Sequence, residues 1–505
     1  MSEMEIKGLP GGWAAVSLSE IVEPRSGKAL PSKTPDAKFI GMEHVEAHTM
    51  RLLGTVPASE MKSAANVFQK GDVLYGRLRS YLNKVYQPEF CGLCSGEFIV
   101  LPESPEVSGS FLKYRLNAMD FVAFASHINT GDRPRVDFDQ IKAFQFLLPP
   151  IREQQRISDA LDELLSDLDA GVEALQRAQA KLALYRASVL KAAVQGDLTA
   201  EWRKQHPDTE PASALLQRIL TERRQRWEQE QLRKFKAAGK TPPANWKAKY
   251  KEPVAPDTTN LPELPKGWCW ATVDQVCEVG TGATPNRGQR ARYYDGGSIP
   301  WVTSSCVNLS FVDHPSELVT ENALEECNLT VYPPGALLLA MYGEGKTRGM
   351  HTQLRIHAAT NQALAALQMA SNIRSYLRLF LAKNYQDVRR SASGGVQPNL
   401  NLDVVRSIAL PLPPQHEQNA IVECAEDQLS VIEHIETDID SKLATANALR
   451  QSILRHAFTG QLVPQDPNDE PASELLKRIA AEREARKKTK ATPRKQTAKR
   501  QKREK

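Results

Sequence analysis

Leucine recurs at every seventh position through Leu161, Leu168, Leu175 and Leu182, and Val189 extends the series. That spacing places apolar side chains on one narrow stripe of a long helix, and the stripe needs a partner to bury it. A second seam of Ile157, Leu164, Gly171, Ala178 and Tyr185 is expected to run beside the first. A shift of 264 residues carries the first seam onto Ala425, Ile432, Ile439, Ala446 and Ile453. The same shift maps Pro149-Pro150 onto Pro413-Pro414, Glu153-Gln154 onto Glu417-Gln418, and Gly196 onto Gly460. A common heptad phase would fit any two coiled coils, but common entry prolines and a common terminal glycine indicate an internal duplication. The simplest burial packs the two helices on each other. Each is expected to span roughly 40 residues, or about 60 Å.

Two further repeats follow other offsets. LPGGW at 9–13 returns as LPKGW at 264–268, and in that register Leu18, Ile21 and Gly27 meet Val273, Val276 and Gly282. EPASALLQRILTER at 210–223 returns as EPASELLKRIAAER at 470–483, and both read as short amphipathic helices. Between them lie apolar runs of strand length, such as Phe39-Ile40 and Val73-Leu74-Tyr75, set off by Gly and Pro. Residues 111–124 suit one helix, with 375–388 as the counterpart. FQFLLPP and IALPLPP read as strands leading into the long helices. In those entries proline's missing amide is harmless, and Glu153 or Glu417 favours the positive end of the helix dipole. Gly196 and Gly460 suit the left-handed position just past a helix end. A charged run from Arg223 to Lys236 extends the first EPAS helix and leads into a proline-rich linker.

The formal charge of +5 conceals an asymmetry. Residues 486–505 carry eleven Lys/Arg and one Glu, so this tail is +10 and residues 1–485 sum to −5. Overall charge therefore gives no argument for nucleic acid. The tail is open to two readings, a solvated disordered end or a salt-sensitive attraction to phosphates. Seven cysteines, with no secretory pattern at the start, predict reduced thiols and a cytoplasmic protein. No run reaches membrane-spanning length. The CxxC at Cys91–Cys94 lacks a second ligand pair, and His44 and His48 lack the Glu of HExxH, so no metal is expected.

One stretch resembles an enzyme's. AMYGEGKT at 340–347 fits a loose nucleotide-loop pattern, which needs a helix directly after it to aim amides at phosphate. The sequel RGMHTQLRIHAAT alternates like a strand, and no apolar run ending in Asp follows. No methyltransferase loop, glycine-rich cofactor fingerprint or acidic nuclease cluster is present, so no catalytic residue is assigned.

The LPxGW openings, the LPPxxEQ entries, Gly196-Asp-Leu and Gly460-Gln-Leu, the EPASxLL pair and the linker ending in LPELPKGW stand in one order. That order resembles the specificity (S) subunit of type I restriction–modification enzymes across nearly the whole chain. The resemblance implies an α+β fold: two duplicated mixed α/β target-recognition domains, joined by two long helices forming an antiparallel coiled coil. The expected divisions are recognition domain 1 at 1–150, a long heptad helix at 151–196, and a short helix with Pro-rich linker at 197–262. Recognition domain 2 follows at 263–414, then the second long helix at 415–460, a short amphipathic helix at 461–485 and a basic disordered tail at 486–505. The implied function is non-catalytic reading of a bipartite double-stranded DNA target. Two methyltransferase (M) subunits and restriction (R) subunits are the implied partners for adenine methylation and DNA cleavage. No cofactor is expected in this chain, since S-adenosylmethionine, ATP and magnesium would sit on those partners. The alternatives are a nucleotide hydrolase through 340–347 and a coiled-coil adapter without sequence specificity.

Arginine can contact guanine edges with two bonds, lysine mostly meets phosphate, and Gln or Asn can pair with adenine. The DNA-binding candidates are therefore Arg77, Arg79, Lys84, Arg133 and Arg135 in the first globule. In the second they are Lys346, Thr347, Arg348, Gln397 and Asn399. Leu161, Leu168, Leu175, Leu182, Val189, Ile432, Ile439 and Ile453 are expected to pair the helices and support partner docking.

Overall fold

The computed structural model describes residues 10–128, 134–342, 347–392 and 400–491. It divides into two compact units, one built from residues 1–176 with 440–505 and the other from 177–439.

The first globule begins with β1 (Ala14–Ser17) and α1 (Leu18–Ile21), a single turn started by a Ser17–Glu20 capping box. Strands β2 (Lys38–Ile40), β3 (Ala65–Phe68), β4 (Val73–Gly76), β5 (Val85–Tyr86), β6 (Gly92–Cys94) and β7 (Phe98–Leu101) follow. Central strand β4 is buried along its length and lies between β5 and β7, while β2 pairs in parallel with β6. Residues 111–124 form two helices where one was expected, α2 (Gly109–Asn117) and α3 (Met119–His127). Ala118 between them is extended. The Asn83 amide takes the Asn117 carbonyl at 3.0 Å, and buried Arg115 pairs with Asp120 in the first turn of α3. Tertiary partners thus break a run whose local propensity is continuous. A short α4 (Phe138–Ile141) leads to β8 (Gln145–Leu148), which closes the globule by pairing with β1.

Then α5 (Ile151–Gln195) runs for 45 residues and stops at Gly196, whose φ of 79° is the left-handed conformation that glycine tolerates. After α6 (Ala200–Gln205) and α7 (Ala212–Ala237) the second globule repeats the plan. Its elements are β9 (Cys269–Thr272), α8 (Val273–Val276), β10 (Glu278–Thr281), β11 (Ile299–Val302), β12 (Leu337–Ala340), β13 (His351–Leu354), β14 (Ala358–Thr360) and β15 (Leu364–Gln368). Strand β12 is flanked by β13 and β15, as β4 is by β5 and β7, and β11 pairs in parallel with β14. Next come α9 (Ser371–Ala392), α10 (Leu402–Ser407) and β16 (Ala409–Leu412), which pairs with β9. The 44-residue α11 (Gln415–Phe458) and then α12 (Ala472–Ala491) complete the described chain.

Within the first unit, Ile157, Leu161 and Leu165 of α5 share a core with Leu454 and Ala457 of α11. Within the second, Leu190, Ala193 and Val194 share a core with Ile421 and Ala425. The start of each long helix thus meets the end of the other, as an antiparallel pair requires. Of the expected first seam, Leu161, Val189, Ile432 and Ile439 are buried, and Leu168, Leu175, Leu182 and Ile453 are partly buried. The second seam follows the expectation only at Ile157, which is buried, and Ala178, which is half-buried. Leu164 is 41% exposed and Tyr185 52%, whereas Leu165 is buried and Val172 half-buried. After Leu161, Leu168, Leu182 and Val189 the companion position is therefore four residues on, not three, whereas after Leu175 it is Ala178 that is half-buried and Gln179 that is exposed. Arg186, half-buried, holds that seam and pairs with Glu436 at 2.7 Å. A polar occupant there hid the phase.

The repeated motifs converge on one node in each unit. In the second, the Gly267 carbonyl accepts from the Ala212 amide at 2.8 Å, so the LPKGW turn starts α7. Glu417, 1% exposed, accepts from Trp268 Nε1 at 2.8 Å, from Thr199 Oγ1 at 2.7 Å, and from Arg203. In the first, the Gly12 carbonyl accepts from the Ala472 amide at 2.8 Å, with Trp13 and Glu153 both buried. Burial pushes the Glu153 carboxyl above its ordinary range. The glutamates of LPPxxEQ are therefore more than helix-dipole partners. Glu417 ties the entry turn, the long-helix start and the segment after Gly196 together.

Candidate nucleic-acid interface

In each globule the central strand runs out into a loop before it returns. In the first, that loop spans residues 77–84 between β4 and β5. The segment after Pro134 is laid against it: the Arg79 amide donates to the Pro134 carbonyl at 2.6 Å, and Leu78 forms a bridge with Arg135. Two candidate groups far apart in sequence are thereby brought together.

The arginines there have different tasks. Arg77 forms an ion pair with Asp137, and its Nε donates to the Val136 carbonyl at 3.3 Å. Burial, and then the nearby Arg135 charge, lower its pKa from the ordinary arginine value. These bonds fasten Arg77 to its own protein and fix the course of 134–137. Lys84 is also used internally, its Nζ donating to the Met42 carbonyl at 2.6 Å. Arg135 is 49% exposed and lies 3.3 Å from Glu97. Arg79 is exposed, and its backbone is left-handed with φ 53°. A non-glycine residue held there stores strain, which surrounding structure must over-determine. Here the Arg79–Pro134 bond and the following turn, Ser80–Leu82, do so. Tyr81, 47% exposed, stands beside it.

In the second globule the corresponding loop joins β12 to β13. The Ala340 amide donates to the Met350 carbonyl and the Gly349 amide to the Ala340 carbonyl, both at 2.9 Å. Thr347 and Arg348 are half-buried on the returning side, and Tyr342, 42% exposed, lies on the outgoing side. A strand follows AMYGEGKT, so no helix N-terminus is presented to a phosphate there. Burial pushes the His351 imidazole down to about 4, with help from the Arg378 charge, so it is neutral at physiological pH. Arg133, Lys346, Gln397 and Asn399 lie outside the described residues.

Tyr81 and Tyr342 were not among the candidates from the sequence, and an exposed aromatic beside cations is a surface on which bases can stack. Elsewhere, Cys94 of the CxxC is buried in β6, and burial pushes its thiol up to about 12, so it behaves as a small apolar residue. Among the described residues no group of three His, Cys, Asp or Glu could hold a metal ion, and no helix is long and apolar enough to cross a membrane.

The model of the type I restriction modification DNA specificity domain matches residues 10–176 and again 265–443. Similar curated proteins include the EcoAI specificity subunit of Escherichia coli, 26% identical over 65% of this chain and 61% of that protein. The EcoKI specificity subunit of Escherichia coli K12 is 24% identical over 78% of this chain and 75% of its own length. The match to EcoAI thus spans less than two thirds of that relative. A chain solved in a study of complex assembly and conformational transition of the type I R-M system aligns over 90% of this chain and 100% of its own, with TM-score 0.65 and 19% identity. At that identity the likeness concerns the fold.

Proposed function

Because this chain belongs to the type I restriction modification DNA specificity family, we propose that it is the non-catalytic subunit that reads a bipartite DNA target. Each globule reads one half, and the complex around it methylates adenine and cleaves DNA. The observation that carries this reading is the repeated topology, in which the central strand is left through residues 77–84 in one unit and through Met341-Tyr342, with return at 347–350, in the other. The framework is duplicated while the loop residues differ, as two different half-sites would require. Two modification subunits and the restriction subunits are the proposed partners. S-adenosylmethionine, ATP and magnesium are assigned to them. The decisive test is co-expression with the cognate modification subunit, followed by genome-wide mapping of methylated adenines. A split motif is expected, and no methyl transfer by the isolated chain. Methylation by the pure chain, or a single uninterrupted motif, would sink the proposal.

Arg79 is the strongest base-reading candidate in the first globule. Arg79→Ala should relax preference at one position of one half-site by about 1–3 kcal/mol. The check is affinity across a panel of single-base variants. Uniform weakening would make Arg79 a phosphate contact, with no part in base choice.

A further inference from the structure

Helix α7 continues well beyond the residues that anchor it. Only Ala212 and Leu215 of its 26 residues are buried. A helix that buries so few of its residues gains little from its own fold, so its length calls for a separate reason. Past the EPAS repeat, residues 223–251 hold ten Lys/Arg and two Glu, whereas residues 1–485 as a whole sum to −5. Arg233, Lys236, Lys240, Lys249 and Lys251 are exposed and have no acidic partner among the described residues.

The segment is built. Its base is held against the second globule: Arg223 donates to the Cys277 carbonyl at 3.1 Å, and Arg226 lies 3.6 Å from Glu278. The returning chain is locked onto the helix by aromatics. Trp227 stacks on Trp246 at 5.9 Å and meets Tyr250 at 5.3 Å, and Phe235 meets Trp246 edge-on at 6.3 Å. This lock brings Lys249 and Lys251 beside Arg226 across an open cleft of about 540 Å³. Ordering so many like charges costs repulsion, which a polyanion would relieve.

We propose that residues 223–251 form a basic arm that grips the DNA phosphate backbone independently of sequence. It adds affinity to the reading done by the second globule. Charge without an apolar docking groove suits phosphates, and an acidic protein surface is the competing occupant. The other unit supports the proposal from sequence, since its EPAS helix also leads into a strongly basic run, Arg486–Lys505. The two extensions differ in sequence and share only their charge and their place after the EPAS helix.

The inference rests on the DNA-reading function proposed above, and one experiment separates the two. The complex with modification subunits would carry Gln in place of Arg233, Lys236, Lys240, Lys249 and Lys251. Its binding to a cognate duplex would be followed across salt concentrations. Every phosphate that is no longer neutralised reduces the slope of log affinity against log salt by about 0.9. A slope smaller by about 2–4 is expected, with at least tenfold weaker binding at low salt and an unchanged methylation motif. Arginine at the four lysines should leave the slope unchanged. If the glutamine variant keeps its slope, the arm does not touch DNA. If it keeps its slope but loses the modification subunits, the occupant is protein and the proposal fails. If the unaltered complex ignores its cognate duplex, the DNA reading itself falls.

Discussion

Exchanging residues 14–148 for the same segment of another specificity subunit is expected to change one half of the methylated motif and leave the other half intact. The ends of this segment are suited to the exchange because β1 and β8 pair antiparallel with Ala14 opposite Leu148. Both junctions therefore fall at one edge of a two-stranded ribbon, outside β4 and its loop. Trp13 and the Pro149–Gln154 entry remain to seat the incoming globule, since Gln154 Nε2 donates to the Pro149 carbonyl at 3.0 Å and its oxygen accepts from the Ser108 amide. Each wrong base pair costs about 1–3 kcal/mol, so a wholly different half-site amounts to orders of magnitude in discrimination. The measurement is the methylome of cells carrying the hybrid complex. Change in both halves would mean that the two globules do not read independently.

The largest effect on stability is expected at Glu417. Its carboxylate is buried and accepts from an indole, a hydroxyl and a guanidinium. Glu417→Ala leaves Trp268 Nε1 without an acceptor, Thr199 Oγ1 with only the Gly196 carbonyl at 3.4 Å, and Arg203 without its counter-charge. Breaking a buried pair from one side costs about 3–5 kcal/mol, and Glu417→Gln should cost less because an amide oxygen still serves the indole. Hydrogen exchange can locate the loss at amides of β9, α8 and the start of α11. A cost below about 1 kcal/mol would show that the network is bridged some other way.

The sequence made the duplication legible because prolines, glycines and heptad leucines have few alternative uses. It placed the ends of α5 and α11 close to where Gly196 and Gly460 stop them. The companion seam was not legible. A leucine every seventh residue fixes one position, and steps of three or four are then decided by packing. Here one half-buried step carries Arg186, which looks like a surface residue. The tie between LPxGW and LPPxxEQ was hidden because both motifs have sufficient local explanations. At the candidate interface, cation composition picked out a loop of the first globule but could not sort its members. Arg77 and Lys84 are engaged by a carboxylate and a carbonyl of their own protein, while Arg79 is left facing outward.

The core of the first unit unites Trp13, Phe111 and Leu148 with Leu454, Ala457, Leu475 and Ile479. The second unit is one uninterrupted stretch of chain. On a ribosome the consequence is temporal. The first globule emerges early, yet the helices that cover its base are made only after the second unit has been translated. At roughly 5–20 residues per second the wait is on the order of ten to fifty seconds. Through that interval Trp13, Ile157 and Leu161 lack their later-made neighbours, so the unit that starts first finishes last.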